Sequence, residues 1–109
     1  TAALAHSQAA LDKLAPFWKL DRKEDHRVAL AEAYWLKGRA FHVNGDVTQA
    51  NWHWQQSLAL LNDGDSKNLP FLRLEMLVRT LNSLGRSEDA IKYIDRLEQS
   101  GFVTLQAFQ

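Results

Sequence analysis

The sequence predicts an all-α fold, and three observations carry that expectation. Apolar residues recur at three- and four-residue spacing along most of the chain; five glycines and two prolines punctuate 109 residues sparsely, most of them at the ends of periodic stretches; and residues suited to capping, Asp46 with Gln49 and Ser87, stand ahead of two such stretches. An apolar fraction of 46% in a chain of this length is enough for one cored domain, which argues against disorder and against a disulfide-dependent miniprotein. Because the sequence opens on Thr1 and not on methionine, it is expected to be a segment of a longer protein.

Leu4, Leu11, Leu14 and Trp18 form one helical stripe, but Pro16 biases Ala15 away from helical geometry, so a first helix is expected from about Ala2 to Leu14. Asp21 and Glu24 have the spacing of an N-cap and its reciprocal partner. A second helix then carries Val28, Ala31, Tyr34, Trp35, Gly38 and Phe41 until Asn44-Gly45 stops it. After the Asp46 cap, Val47, Ala50, Trp54, Leu58 and Leu61 mark the apolar face of a third. Asn62 to Asn68 is a loop by composition, and Pro70 suits the first turn of a fourth helix bearing Leu74, Leu77, Val78 and Leu81, closed by Leu84-Gly85. Ser87 is expected to cap a fifth, with Glu88 and Asp89 in its first turn and Ala90, Ile91, Ile94 and Leu97 on its apolar side. Gly101 ends it, setting Phe102 against Leu97, and the remaining residues are too few to classify.

Laid over one another, the second and third helices match the fourth and fifth at a displacement of forty residues: Gly45 falls on Gly85, Ala50 on Ala90 and Trp54 on Ile94. With Tyr34, Gly38, Phe41, Gly45, Ala50, Trp54 and Ser57 in this order, the first copy resembles the tetratricopeptide repeat family, whose unit of about thirty-four residues sets small and aromatic side chains alternately along a helical hairpin. Gly38, Ala50 and Ser57 let two helix backbones approach, while Tyr34, Phe41 and Trp54 fill the surrounding space. In the second copy Gly85 and Ala90 fit the pattern. Val78 and Leu97 stand where small residues are usual, Leu74 and Leu81 replace aromatics, and the NDGDSKN loop accounts for the longer spacing.

The resemblance implies tetratricopeptide-like antiparallel helix hairpins stacked in a short right-handed superhelix, an α-solenoid. Residues 24–62 are the first repeat and 69–101 the second, with an N-terminal helix and loop over 1–22 and a tail over 102–109. Residues 1–15 can be read as the second helix of a preceding repeat, with Ala3, Ser7 and Ala10 at its small and medium sites. The implied work is that of a scaffold, a protein–protein interaction module holding a peptide or protein partner in a concave groove lined by first helices. Trp35, Arg39 and His42 on the second helix and Glu75, Arg79 and Asn82 on the fourth are the candidate groove residues. Arg39 and Arg79 occupy equivalent places and could clamp the carboxylates of an acidic peptide, with Trp35 as an apolar anchor. The alternative for each arginine is an intramolecular ion pair. The lysine and asparagine pattern of chaperone-tail-binding family members is absent.

Thirteen basic side chains balance thirteen acidic ones, so the electrostatic footprint of a nucleic-acid binder is missing. Apolar runs of four or five residues are too short to span a membrane. Without cysteine there is no disulfide, thiolate metal site or thiol nucleophile; the expected compartment is the cytoplasm, with the periplasm left open. His6, His26, His42 and His53 show no metal-ligand spacing, and Asp63-Gly64-Asp65 lacks the remaining ligands of a calcium loop, so neither metal nor cofactor is expected. No nucleophile, base and acid constellation stands out, and the chain is read as non-enzymatic. In Trp52-His53-Trp54 the helical phase turns Trp54 to the core. Trp52 is left on or near the convex surface, either as a second contact surface or partly buried under the first helix. The competing reading of function is a structural spacer or self-association module, a homo-oligomer joined through Trp52 or its apolar ends.

Overall fold

The structure, a computed structural model, describes residues 2–62 and 70–99, without the side chains of 97–99. They form five helices, α1 (Ala2–Asp21), α2 (Glu24–Val43), α3 (Val47–Leu61), α4 (Phe71–Ser83) and α5 (Ser87–Gln99), and among the described residues there is no strand. The loop over 63–69, the Gly101 terminator, the Phe102–Leu97 contact and the tail lie outside the described residues.

Helix α1 runs past the expected stop at Leu14 and carries Pro16 inside it. A proline there removes one backbone hydrogen bond and costs about 3 kcal/mol. The stripe of leucines and Trp18 explains why the helix continues. Trp18 is buried with Leu11, Leu30 and Ala33, and the guanidiniums of Arg22 and Arg27 lie 4.8 and 4.5 Å from its ring centroid. Burying such a ring and adding cation–π contacts offsets a penalty of that size. The chain then turns at Arg22, in the left-handed region at φ 56°. Asp21 is the last residue of α1 and not the N-cap of α2; that position falls to Lys23, whose side chain makes no cap. The Asp21 carboxylate instead accepts the Lys23 backbone N–H at 3.1 Å and the His26 ring at 2.8 Å. The His26 bond, followed by the Lys23 N–H, holds Asp21 below the ordinary carboxylate pKa.

Both hairpin turns close in the same way. Gly45 (φ 83°) donates to the His42 carbonyl and Asp46 to that of Phe41; forty residues on, Gly85 (φ 76°) donates to Asn82 and Arg86 to Leu81. Each is a Schellman end, which needs a residue that tolerates positive φ. Asp46 then caps α3 through Gln49 N–H at 3.1 Å, as expected. In the second hairpin Arg86 stands where Asp46 does, so Ser87 is the first residue of α5 and not its cap, and Arg86 reaches Asp89 at 2.9 Å. Pro70 likewise precedes α4 as its N-cap residue instead of lying in its first turn.

Packing within the first hairpin follows from small residues. A Cβ on Gly38 would stand 2.5 Å from Trp54 Nε1, 2.6 Å from Trp54 Cδ1 and 3.0 Å from the Ala50 carbonyl oxygen, so the indole occupies the space that glycine leaves. Trp54 Nε1 donates to the Trp35 carbonyl at 3.1 Å. Where α2, α3 and α4 meet, Ser57 donates to the Ala31 carbonyl at 2.9 Å and lies 3.3 Å from the Thr80 hydroxyl, with Leu61 and Leu77 fully buried around them. Ala90 is buried on α5 as Ala50 is on α3. Val78 and Ile94, at the places of Gly38 and Trp54, exchange a small and a large side chain for two of middle size.

Candidate functional site

Trp35 lies on α2 four residues before Arg39, and the equivalent turn of α4 brings Arg79 alongside it. The partly buried indole packs on the core of Ala31, Leu61, Met76 and Leu77, and its Nε1 donates to the Ser83 hydroxyl at 2.8 Å. That hydroxyl donates in turn to the Arg79 carbonyl at 3.0 Å, which ties the ring to α4. The guanidinium carbons of Arg79 and Arg39 lie 5.1 and 5.9 Å from the ring centroid. The indole is therefore a fixed platform carrying two cations and not the free anchor expected of it, because burial and Ser83 have already taken up its apolar face and its donor.

The other expected groove residues divide around this platform. Arg79 pairs with Glu75 at 3.0 Å across one turn, with both side chains substantially exposed, so the alternative left open for the arginines is realised there. Arg39 forms no ion pair among the described residues. Asn82 is exposed on α4 one turn beyond Arg79. His42 sits apart, its ring 5.6 Å from that of Trp54. Tyr34 and Phe41 line another aromatic contact, 6.3 and 5.1 Å from the ring of His53.

Sequence reasoning gave no role to Ser83 at the site, nor to Arg73 and His53 elsewhere in the fold. Ser83, which orients Trp35, carries no signal before its partner is known. Arg73 is buried on α4 and grips both carboxylate oxygens of Glu24, its Nε at 2.8 Å, binding the start of α2 to α4. His53 is 5% exposed, with Nδ1 2.7 Å from the Gln49 carbonyl, and burial lowers its pKa more than that bond raises it, with the Lys37 charge lowering it further. Trp54 is buried and Trp52 exposed, in keeping with the helical phase.

No group of three or more His, Asp or Glu side chains among the described residues could hold a metal ion. No described helix is long and apolar enough to cross a membrane. No protein-family model, curated protein or solved structure matches this chain.

Proposed function

We propose that this chain is a non-catalytic protein-binding module of tetratricopeptide type, a scaffold segment that holds an acidic stretch of a partner protein on the face shared by α2 and α4. In this reading the two hairpins stack as a short right-handed superhelix, and that face is its concave side. The observation that carries the proposal is the convergence of Arg39 and Arg79, from equivalent turns of successive first helices, on the fixed ring of Trp35. Guanidiniums stacked on an aromatic face keep their edge donors available, and those edges match carboxylates in bidentate geometry. Arg39 is already without a carboxylate among the described residues, and Arg79 need only exchange Glu75, a surface pair worth at most about 1 kcal/mol.

A fluorescein-labelled peptide alternating glutamate and leucine, titrated with the chain, tests this. Binding should weaken at least tenfold in the double variant Arg39→Glu/Arg79→Glu, with helical signal and melting temperature retained, and should fall as salt rises. Equal binding by the double variant rejects the proposal; loss of the fold would assign the arginines to structure. A self-association reading draws on Trp52, 53% exposed on α3, and is tested by sedimentation of the chain and of Trp52→Ala at several concentrations.

A further inference from the structure

Two cavities over α2 and α3 share three residues. One, of about 480 Å³, lies among α1, α2 and α3 with Gln8, Asp12 and Tyr34 in its wall; the other, of about 590 Å³, lies between α2 and α3 with Phe41, Asp46 and Thr48; Lys37, Trp52 and His53 line both. The His53 ring is buried among Tyr34, Phe41 and Trp52, the last edge-on with centroids 4.8 Å apart. Its Nδ1 stands 2.7 Å from the Gln49 carbonyl, which can only accept, so the neutral ring carries its hydrogen there and Nε2 is a bare acceptor. Burial lowers the pKa and keeps the ring neutral. Nε2 has no hydrogen-bond partner among the described residues and is not sealed from solvent, whereas the polar atoms of buried side chains are ordinarily paired. Lys37, half-buried, donates to the Gln8 side-chain carbonyl and has no carboxylate partner among the described residues. Gln8 donates in turn to Asp12 at 2.8 Å, and the Trp52 indole is left half-exposed.

We infer that the two cavities form one binding site for a small aromatic carboxylate that carries a ring hydroxyl or N–H. The ligand's ring stacks on the exposed part of the Trp52 indole, its donor meets His53 Nε2, and its carboxylate pairs with Lys37. Besides Lys37 and His53, the charged and titratable groups of the walls are Lys19, Asp12, Asp46 and Tyr34, a balance that suits one carboxylate and not a phosphate dianion. An imidazole in this posture can also hold a metal ion. No group of three or more such ligands stands among the described residues, however, and the Lys37 charge repels a cation. The walls come from α1, α2, α3 and the Asp46 cap, and include neither Trp35, Arg39 nor Arg79, so the site is independent of the proposed peptide surface.

The probe is para-hydroxybenzoate, titrated at neutral pH into chain isotopically labelled at its backbone, indole and imidazole nitrogens. Binding should saturate, shift the Lys37 amide and the Trp52 indole N–H, and move the His53 Nε2 resonance in the direction of an accepted hydrogen bond. Benzoate, which lacks the donor, and methyl para-hydroxybenzoate, which lacks the charge, should each bind at least tenfold more weakly. Lys37→Met and Trp52→Ala should each weaken para-hydroxybenzoate at least tenfold with melting unchanged, while Arg79→Glu leaves it unaltered. Absence of saturation, equal binding of either analogue, an unmoved Nε2 resonance, or shifts confined to the Trp35 face would overturn the inference. So would a dimer of the free chain that Trp52→Ala dissociates, since a second copy would then cover the indole.

Discussion

At Gly38 two contributions to stability oppose each other, and geometry decides between them. Alanine is favoured over glycine inside a helix by about 1 kcal/mol. Its methyl, however, would fall within 2.6 Å of two atoms of a rigid, buried indole. Overpacking of this kind costs about 1 to 3 kcal/mol, so Gly38→Ala should lower the melting temperature against its helix propensity, and Trp54→Phe in the same chain should restore part of the loss. An increase on Gly38→Ala alone would show that α2 and α3 are not in close contact there. His53 poses a protonation problem at the same scale. Its folded pKa lies below the ordinary 6.5 because burial disfavours imidazolium, so the unfolded chain binds the proton more readily. Stability from the neutral ring is complete above 6.5 and is lost as pH falls below it, until the folded ring also protonates. Asp21, lowered from 3.8, acts only in more acidic solution. Melting temperature should therefore fall between pH 7.5 and 5.5, and His53→Gln should remove that part of the fall. An identical pH dependence in the variant would rule out His53 as the cause.

Among the elements, the bond between hairpins is as specific as the packing inside one. Arg73 and Glu24 join α4 to the first turn of α2, with the guanidinium buried and the carboxylate partly exposed. Removing one partner of a fully buried pair costs about 3 to 5 kcal/mol; solvent access at Glu24 reduces the expectation for Arg73→Ala to about 2 kcal/mol. Arg79→Ala, which breaks an exposed pair further along α4, should cost less than about 1 kcal/mol. Chemical denaturation of the two variants compares them, and equal losses would show that Arg73 contributes no more than a surface charge. Neither this pair nor Ser83 could be read in advance, because both depend on which turn of α4 faces α2. The legible features were those with a local cause. Asn44-Gly45 and Leu84-Gly85 announce helix ends through backbone conformation, Asp46 announces a cap, and the phase of Trp52 and Trp54 follows from 3.6 residues per turn. Pro16 and Asp21 misled for the complementary reason: burial of Trp18 in tertiary packing outweighs a local penalty, and the extended α1 then displaces the expected cap. At the candidate site the equivalence of Arg39 and Arg79 was visible as a forty-residue spacing. The capture of Trp35 by Ser83 was not.

Over the whole molecule, stability is unevenly distributed, because each helix borrows most of its burial from its neighbours. Helix α2 is covered on three sides: by α1 through Leu30 and Ala33, by α3 through Gly38 and Trp54, and by α4 through Arg73 and Ser83. Helix α5 packs chiefly on α4, and Ala90 is the one fully buried position among its described side chains. Where units interact mainly with their neighbours, local opening begins at the end with fewest partners and does not require the centre to unfold. Native-state amide hydrogen exchange should therefore rank α2 and α3 as the slowest elements and α5 as fast. Leu77→Ala, at the junction of α4 with α3, should speed exchange in α4 and α5 more than in α2. Exchange in α5 as slow as in α2, or a uniform acceleration on Leu77→Ala, would mean that the chain opens as a single cooperative unit and that the two hairpins are not separable in energy.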